Sequence, residues 1–385
     1  MRTHVFCTLF TLLCCTGGTP DKTLAKACRW LWAQQAPDGG WHSETHGILK
    51  RGEAFTPFVL FILLSVPDSI FPRPAGKTEI ALDFIRRSVG PAGHVGAAAD
   101  GVVEYPNYAT AYALRVLIRD GTAADSGLIR KMAYYLTAQQ FTEQRGIDPE
   151  HPVYGAWGFG ESLAPGTFGH VDLSHTRRVL QALREYGNAD PVVFRKAETF
   201  LRLLQKCPEE TRPQPPDQTS ADKVPYDGGF YSSPVIWGSN KAGVTDTVPR
   251  CFISYSTTTA DGLLCLLAAG VPAQDKRVRD AMAWLRQHPD WSYPEGISRN
   301  NPAQWDLVLK FYHIAVRTEA YASMGLDTSE YQTVLKILEA SQAPDGHFSN
   351  PDGAPNKEDD PVLATALAVA ALRPPARQEI KPTGK

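Results

Sequence analysis

The sequence predicts an all-α protein, an α6/α6 toroid of six helical hairpins set in an inner and an outer layer. Three observations predict it. Segments with the apolar spacing of a half-exposed helix alternate with segments apolar on nearly every face, six times along the 385 residues. Glycine-rich turns, most of them followed by an aromatic residue, separate the two members of each pair. The first and last turns are near copies, WAQQAPDGGW at 32–41 and EASQAPDGHF at 339–348, as expected where a ring brings its two ends together.

The elements follow in order. Residues 1–18 have a basic start, an apolar run from Val5 to Cys15 and then small residues, which predicts a secretory signal peptide and an exported, periplasmic or extracellular protein. The run is too short to span a bilayer. Cys15 is where a lipid anchor would attach, although Leu13 and Cys14 match such a signal only loosely. The single toroid domain then occupies 19–373. Its hairpins pair 24–35 with 52–66, 78–89 with 107–121, 127–140 with 172–187, 191–206 with 254–270, 276–288 with 304–325, and 329–342 with 359–372. The second member of each pair cannot bury itself alone, so the pairs must stack, and the apolar last helix argues for closure rather than a polar cap. In the turns, Pro fixes φ and Gly accepts a positive φ, so the chain can reverse after an outer helix. The Pro-rich stretch 207–225 reads as a surface excursion and 374–385 as a disordered tail.

Composition removes some function classes. Lys+Arg 39 against Asp+Glu 41 gives a formal net charge of -2, with no basic field for nucleic acid. The cysteines that survive signal removal, Cys28, Cys207, Cys251 and Cys265, lie far apart without metal or disulfide spacing, and read as buried thiols.

Helix pairs joined by Gln-x-x-x-Gly-Gly-Trp or Phe turns resemble the repeats of the terpenoid cyclase and protein prenyltransferase superfamily, over roughly residues 22 to 373. The resemblance implies the α/α toroid and a central cavity for an isoprenoid or other small apolar ligand. It implies no intact chemistry. The Asp-x-Asp-Asp-Thr-Ala acid motif of squalene–hopene cyclases has its nearest match in KEDDPVLATA. There Asp359 and Asp360 stand at the last two carboxylates, Lys357 at the first, and Pro361 at the threonine. The zinc ligands of prenyltransferase β subunits fall on Ile253 and Tyr255, and only His313 matches, so neither a metal nor another cofactor is expected. A closer likeness is to bacterial squalene-cyclase and prenyltransferase-repeat proteins, whose inner-helix signatures resemble DLSHT (172–176), YSTTT (255–259) and FYH (311–313).

Polar residues opening otherwise apolar helices are the candidate site. Asp172 and His175, three apart, share one helix face as an orienting carboxylate and a base, or as an N-cap and its neighbour. Tyr255 and Thr257 belong to a hydroxyl cluster that is costly unless it lines a wet cavity. Asp261 needs a buried partner, for which Arg250, Lys310 and Arg317 are candidates. His313 beside Tyr312 and Lys310 suggests a polar floor, or a satisfied core histidine. Tyr108, Trp157 and Trp305 supply aromatic lining. Glu358, Asp359 and Asp360 are acid candidates or the cap of a helix with Pro361 in its first turn. Three functions compete: an isoprenoid-type enzyme or carrier, a glycan-active α/α barrel, and a scaffold without chemistry.

Overall fold

The computed structural model describes residues 19–96, 105–325 and 327–373; the signal peptide, Cys15 and the C-terminal tail predicted above lie outside them. Helix α1 (Thr19–Ala33) pairs with α2 (Phe55–Leu64), α3 (Lys77–Ser88) with α4 (Pro106–Asp120), and α5 (Ser126–Ala138) with α6 (Leu173–Tyr186). Helix α7 (Pro191–Leu204) pairs with α8 (Ser256–Ala269). The fifth hairpin joins α9 (Lys276–Gln287) to a short α10 (Trp305–Val308) and then α11 (Lys310–Ser323), and the last joins α12 (Thr328–Ser341) to α13 (Pro361–Leu372). No β-strand and no helix long and apolar enough to cross a membrane occurs among the described residues. The predicted 304–325 helix is broken at Leu309, because the Glu358 carboxylate accepts from the backbone N–H groups of Phe311 and Tyr312 and so starts a new helix there.

The predicted ring closes. Each inner helix packs on the next in the order α2, α4, α6, α8, α11, α13, and α13 returns to α2 and α1. All ten residues of α2 are buried, as are most of the apolar residues of α8 and α13, which is why these helices carry no polar stripe. One core runs around the ring. Burial of each large aliphatic or aromatic side chain in it contributes roughly 1.5–3 kcal/mol.

The repeated turn residues explain how neighbouring hairpins lock. Gln35, Gln140, Gln205 and Gln342 each donate from Nε2 to the carbonyl of their own turn glycine and to a carbonyl at the start of the next outer helix. For Gln342 that carbonyl belongs to Thr23, so the sixth turn is tied to the first helix. Glycine is required where a turn presses on the next outer helix: at Gly155, φ is 87°, and a Cβ would lie 1.9 Å from the Lys196 carbonyl oxygen. In four of the six hairpins a threonine near the start of the inner helix completes the unit. Its hydroxyl accepts from the backbone N–H of the aromatic residue in the pairs Thr56–Trp41, Thr176–Trp157, Thr259–Phe230 and Thr365–Phe348. The turn copies seen in the sequence are therefore inter-hairpin fasteners.

Candidate active site at the barrel mouth

The inner helices start at one end of the ring, and there they surround a cavity of about 320 Å³. Of the residues expected to form a site, Tyr108, Asp172, His175, Tyr255, Thr257, Asp261, Trp305 and Tyr312 line it. One wall is apolar, built by Phe55 and Phe58 of α2 and by Leu363 and Leu367 of α13. The opposite wall is polar.

Asp172 organises the polar wall. As N-cap of α6 it accepts on Oδ1 from the His175 backbone N–H (2.9 Å) and the Ser174 hydroxyl (3.1 Å). His175 Nδ1 lies 2.9 Å from the same oxygen, and His170 Nε2 lies 2.6 Å from Oδ2. Burial pushes the Asp172 carboxyl up, but the charge of His175 and the hydrogen bonds from His170 and His175 outweigh it, and the group sits well below the usual carboxylate range. Phe159 stacks on His170 with centroids 4.1 Å apart and leans on His175. The cap and the orienting carboxylate are thus the same group. His170, Asp172 and His175 are also the set whose donor atoms, all within 4.8 Å of one another, could hold a metal ion. Hydrogen bonds to Asp172 already engage His170 Nε2 and His175 Nδ1, the arrangement of an oriented acid–base pair.

Lys241 reaches the cavity from the long 205–255 connection, with Nζ 3.6 Å from the centroid of the Trp305 ring. Burial lowers its ammonium to about 8. Tyr255 donates its hydroxyl to the Ser239 carbonyl (3.1 Å), which pins the same connection against the mouth.

The floor is ionic. Asp261 is 1% exposed, and Tyr312 Oη donates to both its carboxylate oxygens, at 3.1 and 2.9 Å. Its charge partner is Arg177 of α6, whose Nε lies 2.6 Å from Oδ1 outside hydrogen-bond alignment. This corrects the three partners expected from the sequence. Arg250 pairs with Asp217 on the surface, Lys310 Nζ donates to Ser341 Oγ of the outer layer, and Arg317 donates to the Asp290 and Leu285 carbonyls. Asp261 lies on α8, whose inward face meets α6, so its cation comes from that neighbour. Burial raises the Asp261 carboxyl, and Arg177 opposes the rise.

The remaining candidates lie off the cavity. Trp157 is fully buried beneath the end of α5, where Nε1 donates to the Leu136 carbonyl. His313 is buried behind Thr257, 3.3 Å from its hydroxyl and 3.3 Å from the Asp290 carbonyl; burial drives it down to about 3, so it is a neutral core histidine. The three consecutive acids diverge. Asp360 caps α13 and accepts from Ser43, Asp359 pairs with His46 at 2.7 Å, and Glu358 caps α11. Alternate backbone directions before a helix cannot point three carboxylates at one proton, so the cyclase-like acid cluster is not formed.

Glu358 carries a pH signature. Burial pushes its carboxyl up to about 7, against the pull of the Phe311 and Tyr312 N–H groups, Asn350 and Asn356. The folded value exceeds the unfolded one, so the Glu358 contribution to stability is complete in acid and is lost as pH rises from about 5 to about 7, about 3 kcal/mol in full. In Glu358→Gln this slope is expected to vanish. Urea unfolding at pH 5 and pH 7.5 checks it; an unchanged slope in the variant would assign the effect elsewhere.

Sequence reasoning missed His170, Lys241 and Arg177. The spacing of His170, Asp172 and His175 was visible, whereas Lys241 lies in a connection with no period to place it.

No protein-family model and no curated protein matches the chain. Solved structures do match it in fold. It is similar to the type II terpene cyclase MstE from Scytonema in complex with geranylgeranyl dihydroxybenzoate, at 14% identity and TM-score 0.53, over 92% of this chain and 96% of that one. The apo form of the same cyclase gives 16% identity and TM-score 0.52 at the same coverage. D-mannose isomerase gives 10% identity and TM-score 0.54, again over 92% and 96%. The chain has the α/α-toroid fold of the terpenoid cyclase-like proteins, and that same architecture hosts a sugar isomerase.

Proposed function

We propose that the barrel mouth binds, and by acid–base chemistry transforms, a small amphipathic molecule of isoprenoid type. The observation that carries this reading is the division of the cavity into an apolar wall from α2 and α13 and a polar wall of His170, Asp172, His175 and Lys241. An apolar chain lies against Phe58, Leu363 and Leu367, and its polar end meets the two histidines. A cavity of about 320 Å³ is near the lower end of ligand-sized pockets, which favours a short chain over a triterpene.

In this reading His175 is the proton carrier at the ligand's polar end. Asp172 holds its Nδ1 and stabilises the imidazolium, so the ring turns its other nitrogen away from the carboxylate. The reaction class is proton transfer at a heteroatom or activated carbon. Protonation of an isolated alkene is disfavoured, because Asp359 and Asp360 are spent on His46 and the α13 cap, and Asp261 is paired with Arg177.

Fluorescence tests the ligand class, since Trp305 stands on the cavity wall. Titration with short prenyl alcohols and acids is expected to change its emission saturably, and Trp305→Phe to remove the change. Saturable binding of monosaccharides with no response to the prenyl compounds would replace this reading with the glycan-active one.

A further inference from the structure

Beneath the cavity floor lies a second, small space of about 20 Å³, which shares Phe58, Tyr312 and Leu367 with the cavity above as common walls. Its other walls are unusual for a barrel interior: the side chains of Arg115, Arg177, Arg178 and Arg373 converge on it, with Glu319. Arg177 is 0% and Arg178 5% exposed.

Two features of this void call for an occupant. Arg177 Nη2 and Arg178 Nε are buried donors without a hydrogen-bond acceptor, and both residues line it. Carboxylates fall short as well. Arg177 is held by Asp261 and Glu319, and Arg115 by Glu185, while Arg373 donates to the Ser65 hydroxyl, so that neither Arg373 nor Arg178 has a carboxylate at ion-pair distance among the described residues. The Arg178 guanidinium instead lies 5.5–6.0 Å from the ring centroids of Tyr108, Tyr112 and Tyr312. Four arginines against Asp261, Glu185 and Glu319 leave one positive charge in excess around the void. Arg177 and Arg178 sit in the first two turns of α6, where the helix dipole disfavours a cation, so helix ends do not offset them.

We infer that the void between Arg177, Arg178 and Glu319 is a binding site for one halide-sized inorganic anion such as chloride. A single water fits a space of this size and can accept from the two donors, but it leaves the buried excess charge uncompensated. A halide does both, and a carboxylate or phosphate is too large. The site is independent of the ligand proposed for the mouth. Its occupant holds Arg177 and Arg178 in place and, through Arg177, fixes Asp261 and Tyr312 in the floor.

The test uses the full chain. Tm is measured while sodium chloride replaces sodium gluconate at constant ionic strength. Across a hundredfold range above the dissociation constant, Tm is expected to rise by about 4 °C, and Arg178→Gln to flatten the response. Crystals grown in sodium bromide are expected to give an anomalous difference peak between Arg177 Nη2 and Arg178 Nε, a readout that needs no variant. A Tm equal in both salts, or a bromide map without density in the void, overturns the inference and assigns the space to water.

Discussion

Replacing Arg177 by methionine is expected to lower the unfolding free energy by about 3–5 kcal/mol. The size follows from what remains. Asp261, 1% exposed, keeps the Tyr312 hydroxyl and the charge of Arg178 but loses its ion-pair partner, and Glu319 loses a contact at 3.0 Å. A buried carboxylate stripped of its ion-pair partner must either stay charged at that cost or take up a proton. Adding Asp261→Asn to Arg177→Met is expected to restore part of the loss, because the stranded charge is then gone. Urea unfolding of the single and double variants measures both. A loss below about 1 kcal/mol for the single variant would mean that water reaches the floor and that the pair is no more than a surface-type ion pair.

Asp172→Asn separates the structural and chemical duties of the polar wall. Asparagine caps helices about as well as aspartate, so α6 keeps its start. What is lost is the negative charge facing His170 and His175. Stability at pH 7 is expected to fall by about 1.5–3 kcal/mol, the scale of charge-assisted hydrogen bonds. The sign of the pH effect is fixed by the depressed carboxyl. Its contribution is complete above the unfolded value near pH 4 and disappears as pH falls through the lower folded value, so the variant lacks this acid limb. Affinity for the mouth's ligand is expected to drop about tenfold, since the histidines lose their orientation. Unfolding curves from pH 2 to pH 7, with binding isotherms at pH 7, test this. Unchanged affinity would reduce Asp172 to a cap.

The ring was legible because its causes are local and periodic. Helices apolar on every side, such as α2, have no stable place except against other helices, and the Gln-Ala-Pro-Asp-Gly copies mark the fasteners that repeat with them. The site was legible only in part. Asp172, Tyr255 and Asp261 stood out as polar residues in apolar helices, and they do line one cavity. Partners did not stand out, because ion pairs cross between helices that are distant in sequence: Arg177 meets Asp261 across the α6–α8 contact. The alternation itself held a further signal, since RR at 177–178 falls in an inner helix and its guanidiniums must face the barrel. His313, Trp157 and Glu358 misled for a related reason. Polar groups that serve helix starts and core hydrogen bonds have the same sequence appearance as polar groups that face a ligand.

The central claim is that the mouth holds a small amphipathic ligand between its two walls. The most direct measurement is mass spectrometry of an organic extract from the purified protein, run beside Leu363→Trp, which fills the apolar wall without touching the ionic floor or the α6 cap. A stoichiometric short-chain isoprenoid species in the wild-type extract, absent from the blocked variant, is the predicted result. An extract with no such species, or the same ligand carried equally by Leu363→Trp, would contradict the account.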